Sequence, residues 1–161
     1  MFLEGIKIAE QTGHEAGRAL LERMFLRYVG APMPPIAITE RGKPYFVDSP
    51  WHFSISHSKR HVFCVLSEKI VGIDAEEMDR DVNLKLAEKI LSPMERQQFD
   101  NAANQRVALL TFWVLKEAQA KMTGEGLKGY PNHTEFTLND PRVQQLQGCL
   151  VAVIEEEDHV I

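Results

Sequence analysis

Between residues 36 and 74 the chain sets five short apolar segments (36–38, 45–47, 53–55, 62–66 and 70–74), with Pro, Gly, Asp and Ser between them. Segments this short with such punctuation predict β-strands. Helix patterns lie on both sides of this block. Thr12-Gly13-His14-Glu15 is a capping-box sequence, followed by Ala16, Leu20, Met24 and Tyr28 at helical spacing and by Gly30 as a stop. Beyond the block, residues 82–91 predict one helix. Ser92-Pro93-Met94-Glu95 opens another with Pro at its first position, and residues 105–122 predict the longest, ended by Gly124. Ile6 and Ile8 predict a short strand near the N-terminus, and strands near 135–138 and 150–154 close the chain. Ser67-Glu68-Lys69 predicts a hairpin joining 62–66 to 70–74. Strand and helix do not alternate, so the expected fold is α+β with a mixed or antiparallel sheet.

With 161 residues, 44% of them hydrophobic and 25% charged, the composition is that of one globular domain with a real core. No apolar run approaches the length of a membrane span, and Met1 to Lys7 lack the basic and apolar regions of a secretion signal. Cys64 and Cys149 sit in apolar runs and are expected to be buried free thiols. Together these features predict a cytoplasmic protein without a membrane partner. The net charge of −5 argues against non-specific nucleic-acid binding. That charge is uneven: residues 1–70 carry 9 Lys+Arg against 7 Asp+Glu, and residues 71–161 carry 9 against 16. An anion would find its cations mainly in the first half, and a cation its oxygen ligands in the second.

In Val71-Gly72-Ile73-Asp74-Ala75-Glu76, residues two apart on a strand face the same side, so Asp74 and Glu76 project together. Adjacent carboxylates repel unless a cation lies between them, and Mg²⁺ takes one or two carboxylates plus waters and phosphate oxygens. The bland alternative is a solvated acidic turn, since Glu77, Asp79 and Asp81 follow. On a helical projection from Trp113, the apolar residues Val107, Leu110, Val114 and Ala118 span about 60° to 140°, with Glu117 near 40° and Lys121 near 80°. A carboxylate and an ammonium are thereby brought to the edge of a buried stripe, either as part of a metal–phosphate site or as an ordinary intrahelical pair. Ser54-Ile55-Ser56-His57-Ser58-Lys59-Arg60, with Arg41-Gly42-Lys43-Pro44, could grip phosphate oxygens, a polar turn being the alternative. Gly124-Glu125-Gly126-Leu127-Lys128-Gly129 matches the dinucleotide fingerprint in letters only, because it follows a helix instead of opening one. Asn132-His133-Thr134 is formally a glycosylation sequence, irrelevant without secretion.

Taken in order, Gly42-Lys43-Pro44, Phe53-Ser54-Ile55-Ser56-His57-Ser58, Gly72-Ile73-Asp74-Ala75-Glu76, Trp113-Val114-Leu115-Lys116-Glu117-Ala118-Gln119-Ala120-Lys121 and Gly124-Glu125-Gly126-Leu127 resemble the 4′-phosphopantetheinyl transferase superfamily, in particular its surfactin-synthetase type. Arg18-Ala19-Leu20-Leu21 also resembles that family's first helix. The resemblance implies a single domain over residues 1–161 made of two similar small α+β lobes, about 1–70 and about 71–161. The two are related by a pseudo-twofold, with the active site in the cleft between them. It implies Mg²⁺-dependent transfer of 4′-phosphopantetheine from coenzyme A to a serine of an apo acyl or peptidyl carrier protein, releasing 3′,5′-ADP. Asp74, Glu76 and Glu117 would hold Mg²⁺. Lys121 would neutralise pyrophosphate charge and Glu117 would help take the serine proton, while Arg18, Lys43, Ser56 and His57 would bind coenzyme A, His57 on the 3′-phosphate. The carriers of that family are usually acidic, which points to a cationic docking patch near Arg23, Arg27, Lys59 and Arg60. Only seventeen residues precede Arg18, fewer than two-lobed members of the family have, which allows a smaller first lobe, a dimer that completes the site, or a weakened enzyme. The alternatives are a module that binds coenzyme A without turning it over, and an interaction scaffold whose acidic cluster is solvated surface.

Overall fold

A computed structural model describes residues 1–125 and 134–157. Its elements run β1 (Phe2–Lys7), α1 (Gly13–Val29), β2 (Ile36–Ile38), β3 (Pro44–Phe46), β4 (His52–His57), β5 (His61–Ser67), β6 (Val71–Glu77), a 3₁₀ turn (Leu84–Leu86), α2 (Ala87–Ile90), α3 (Pro93–Asp100), α4 (Gln105–Thr123), β7 (Val143–Leu146) and β8 (Cys149–Glu155). Three helices start at side-chain caps. The Thr12 hydroxyl accepts from Glu15 N–H at 3.1 Å, Ser92 and Glu95 form a reciprocal capping box, and the Asn104 side chain accepts from Val107 N–H. Gly30 and Gly124 end α1 and α4 at φ 76°, a left-handed conformation that glycine adopts without steric cost.

The strands form two antiparallel three-stranded sheets, ordered β1-β5-β4 and β6-β8-β7, with β2–β3 as a separate hairpin. Both sheets have one plan: a first strand, an intervening helix, then a hairpin whose last strand sits in the middle. This is the α+β pair of similar lobes. On the first sheet, Ala16, Leu20, Leu21, Met24 and Phe25 of α1 bury against Phe53, Val62, Cys64 and Leu66. On the second, Leu109, Phe112, Leu115 and Ala118 of α4 bury against Leu150, Ala152 and Ile154. The other sheet faces meet each other through Phe63, Val65, Val71, Ile73, Ala75, Val151 and Val153. Where the lobes abut, the hydroxyls of Ser54 and Ser56 on β4 accept from the N–H groups of Ile73 and Ala75 at 3.1 and 3.0 Å, so the edge of β6 is not left unpaired.

Four local expectations change. Residues 67–69 do not form a hairpin, because β5 already has β1 and β4 on its two sides and leaves no edge for β6. The helix expected over 82–91 breaks into a 3₁₀ turn capped by Asn83 and a single α-turn. No strand forms at 135–138; side chains of α3 hold that segment instead, Glu95 Oε2 accepting from Phe136 N–H at 2.7 Å and Gln98 Oε1 from Leu138 N–H at 3.0 Å. The strand that pairs with β8 lies later, at Val143–Leu146, where Gln147 (φ 52°) and Gly148 (φ 79°) make the tight hairpin turn. On α1, Tyr28 is exposed and stacks on Phe2 at 4.0 Å. Both cysteines are free and buried, and no helix among the described residues is long and apolar enough to cross a membrane. Gly126, Leu127, Lys128, Gly129, Asn132 and His133, singled out above, lie outside the described residues.

Candidate functional site

Alternation along β6 turns Gly72, Asp74 and Glu76 toward α4 and the odd-numbered residues toward the other sheet. A side chain at position 72 would collide with the α4 backbone at Ala118 and Met122, so only glycine lets the helix lie this close. The close approach sets Glu117 and Lys121 beside Asp74. Ile55, Ser56 and His57 of β4 come from the first lobe, and with Arg80 and Trp113 these side chains line a cleft of about 340 Å³. A second cleft of about 270 Å³ shares Ile55, Glu117 and Lys121 with it and runs on to Arg41, Gly42, Lys43 and Pro44. Six residues singled out from the sequence therefore converge on one cleft: Ser56, His57, Asp74, Glu76, Glu117 and Lys121.

Asp74 is the buried centre of this group. Its Oδ1 accepts from the Ser56 hydroxyl at 3.2 Å and lies 3.5 Å from Lys121 Nζ. Its Oδ2 is buried without a hydrogen-bond partner. Burial drives the Asp74 carboxyl up to about 7; Lys121 opposes the shift, and Glu76 and Glu117 add to it. Burial also raises Glu117, with Lys121 opposing and Glu76 reinforcing. Glu76 pairs with Arg80 at 2.6 Å, and Lys121 Nζ also donates to the Ile55 carbonyl at 3.3 Å. A buried carboxylate oxygen with no donor, faced by two more carboxylates, has the chemistry of a cation site. The oxygens of the three carboxylates do not all lie within 4.8 Å of one another, so one ion touching all three would need them to draw together.

The remaining predicted residues lie elsewhere. Lys43 lines the second of these clefts and not the first, and its Nζ donates to the Met122 carbonyl at 2.7 Å, at the C-terminal end of α4. Burial lowers the Lys43 pKa, with Glu156 opposing. Arg18 is half-buried on α1, one residue past Gly17, which packs against Ile55, and it lines neither cleft. His57 is exposed at the end of β4, where Gly13 leaves room for its ring: a Cβ at position 13 would fall 2.6 Å from His57 Cγ. Of the four suggested docking residues, Arg27 pairs with Glu4 through two 2.8 Å bonds and Arg60 with Asp79 through two 2.9 Å bonds. Arg23 and Lys59 are exposed.

Two features were not read from the sequence. Arg80 enters the cleft by following the β6 carboxylates at an i,i+4 spacing, a signal present in the sequence. The second is a buried ion pair behind Glu117, in which Lys116 Nζ sits 2.8 Å from Glu95 Oε1 with both side chains almost fully enclosed.

A model of the 4′-phosphopantetheinyl transferase superfamily matches residues 70–157, more than half of the chain. The chain belongs to this superfamily. The matched segment runs from β6 to the end of β8 and contains Asp74, Glu76, Glu117 and Lys121, so the acidic side of the cleft is the part that this phosphopantetheinyl transferase superfamily member shares most directly with its family. Among similar proteins, a 4′-phosphopantetheinyl transferase of Bacillus subtilis is 33% identical over 123 residues, 70% of this chain and 54% of its own length. The 4′-phosphopantetheinyl transferase gsp of Aneurinibacillus migulanus is 29% identical over 130 residues, 78% of this chain and 54% of that one. The chain thus spans about half the length of these relatives. A solved holo-[acyl-carrier-protein] synthase of Thermotoga maritima matches 52% of this chain and 60% of its own at 28% identity, with a TM-score of 0.44.

Proposed function

We propose that this chain transfers the 4′-phosphopantetheine group of coenzyme A to a serine of an apo carrier protein, with residues 1–70 and 71–161 acting as the two lobes of one transferase domain. The observation that carries this reading is the partnerless, buried Asp74 Oδ2 facing Glu76, Glu117 and Lys121 within the family-matched segment. In the reaction the serine oxygen bonds to the β-phosphorus of coenzyme A, the bridging P–O bond breaks, and 3′,5′-ADP leaves. Phosphoryl transfer asks the protein mainly to position groups and neutralise oxygen charge. Mg²⁺ held by Asp74, Glu76 and Glu117 would supply positive charge to the pyrophosphate oxygens.

The chain's own residues do the rest. Lys121, held against Asp74 and the Ile55 carbonyl, adds a cation at the mouth shared by the two clefts. Glu117 lines the cleft beside Lys121 and would help take the serine proton, directly or through water; a bound Mg²⁺ would offset the upward shift that burial gives its pKa. His57 is exposed and takes the 3′-phosphate. Lys43 and Arg41 make the second cleft cationic and extend the anion-binding surface. The Ser56 hydroxyl is already used twice, accepting from Ala75 N–H and donating to Asp74, so in this proposal it orients Asp74. A coenzyme A-dependent reaction and two buried free thiols fit a cytoplasmic setting.

The test is intact-mass measurement of an apo carrier protein incubated with the chain, coenzyme A and Mg²⁺. A gain of one phosphopantetheine supports transfer. Coenzyme A binding without any mass gain refutes it and leaves a non-catalytic binding module.

A further inference from the structure

The face of β6 turned away from the cleft carries Val71, Ile73, Ala75 and Glu77, the first three of which pack between the sheets. That apolar layer ends in a polar cluster built from three strands: His61 opens β5, Glu77 closes β6 and Cys149 opens β8. His61 Nδ1 lies 2.9 Å from Glu77 Oε1. Cys149 Sγ lies 3.3 Å from Glu77 Oε2 and 3.6 Å from His61 Nδ1. Among the described residues, this is the group of His, Cys, Asp or Glu whose three donor atoms all fall within 4.8 Å of one another. We propose that His61, Glu77 and Cys149 form a second metal site, for a borderline cation of the Zn²⁺ class, which ties the two sheets together on the face of β6 opposite the cleft.

Geometry and donor chemistry agree on this. A tetrahedral ion with nitrogen and oxygen donors at about 2.0 Å and sulfur at about 2.3 Å requires donor–donor edges of roughly 3.3–3.5 Å. Here Nδ1 and Sγ lie 3.6 Å apart, and the Glu77 carboxylate faces both, Oε1 at 2.9 Å from Nδ1 and Oε2 at 3.3 Å from Sγ, so an ion between the three donors needs that carboxylate to turn one oxygen toward it. A sulfur, an imidazole nitrogen and a carboxylate together select Zn²⁺ over the oxygen-seeking Mg²⁺. The His61 side chain is 12% exposed, which leaves a route for an ion and for water as fourth ligand. Cys149 is fully buried, which excludes a nucleophilic role for its sulfur.

Without metal the donors hold one another. Glu77 accepts from the Ser58 hydroxyl at 2.8 Å and Arg60 N–H at 2.9 Å, so loading does not require the site to assemble from an open state. The Arg60 guanidinium lies 3.4 Å from Glu77 Oε2 and makes its shorter bonds to Asp79. On binding, the ion replaces the Cys149 thiol proton, which leaves to solvent. His61 carries its proton on Nε2 so that Nδ1 can ligate, and Glu77 stays a carboxylate. The three strands involved belong to both sheets, β5 to one and β6 and β8 to the other, so the loaded site is a cross-link between lobes.

The test uses Co²⁺ as a spectroscopic probe on chelator-stripped full chain, with no coenzyme A or carrier present, so its result is independent of the proposed transfer activity. Wild-type protein and Cys64→Ser should each bind one Co²⁺ with a near-ultraviolet thiolate-to-cobalt absorption and visible bands of tetrahedral strength. Zn²⁺ should abolish these bands, and excess Mg²⁺ should not. Cys149→Ser should lose the thiolate band. Zn²⁺ should raise the Tm of wild type and not that of Cys149→Ser. Absence of the band in wild type, its persistence in Cys149→Ser, or its loss in Cys64→Ser would each overturn the site, leaving the cluster a hydrogen-bonded plug.

Discussion

Gly72→Ala is the most searching perturbation of the cleft, because it touches none of the residues assigned to chemistry. The added methyl group would lie inside contact distance of the Ala118 carbonyl and the Met122 nitrogen, and 2.9 Å from Met122 Cα. All three are backbone atoms, so no side-chain rotation relieves the clash, and α4 must withdraw from β6 by roughly 1 Å. Over-packing of this kind costs about 1–3 kcal/mol, which for a chain of this size lowers Tm by roughly 2–12 °C. The same withdrawal carries Glu117 and Lys121 away from Asp74, and a misplacement of about 1 Å at reacting groups costs on the order of 100-fold in rate. The assay pairs thermal unfolding with carrier-modification rates taken well below the variant's Tm. Loss of rate at a temperature where the variant is fully folded is the expected result. A variant with unchanged Tm and wild-type transfer would refute the claim that helix–strand contact at Gly72 sets the site.

The other predictions concern single groups. In metal-free protein the Asp74 carboxyl holds its proton up to about pH 7, against an ordinary value of 3.8, so the fold binds this proton more tightly than the unfolded chain does. Its contribution to stability is therefore complete below about pH 4 and is lost as pH rises through 7. Asp74→Asn should flatten that part of the pH profile of the urea midpoint and abolish transfer; a profile as steep as wild type would contradict the assignment. His57→Ala should weaken coenzyme A binding by about 1.5–3 kcal/mol and leave 3′-dephospho-coenzyme A nearly unaffected, as read by calorimetry. Equal losses would move His57 off the 3′-phosphate. Lys116→Met strips the partner from the fully buried Glu95 and should cost about 3–5 kcal/mol in chemical denaturation, whereas an unchanged midpoint would mean the pair is not needed for stability. Charge reversal at Arg23 together with Lys59 should raise the KM for an acidic carrier without altering coenzyme A affinity, and an unchanged KM would place docking elsewhere.

Much of the cleft was legible in the sequence because its groups come from two regular elements with fixed periods. The two-residue repeat of a strand sets Asp74 and Glu76 on one side. The helical repeat sets Glu117 and Lys121 at the edge of a buried stripe, and the caps at Thr12, Ser92, Gly30 and Gly124 mark helix ends through strictly local bonds. Local bonds and periods need no knowledge of distant residues. Strand order and packing partners do need it. Nothing near Ser67 shows that β5 is already enclosed by β1 and β4, so the chain must cross to a second sheet there. The hydroxyls of Ser54 and Ser56 read as a phosphate grip or a polar turn until β6 arrives with its unpaired N–H groups. Residues 135–138 have a strand-like composition but are bound by Glu95 and Gln98 of a helix about forty positions earlier. The meeting of His61, Glu77 and Cys149, spread over eighty-eight positions, follows from the stacking of two sheets and from no local pattern. What the sequence determined by itself was the long helices with their caps and most of the strands, while the last hairpin and the 82–91 segment were not among them. Which elements touch was decided by long-range packing, because hydrophobic burial is non-directional and selects partners only when all surfaces compete at once.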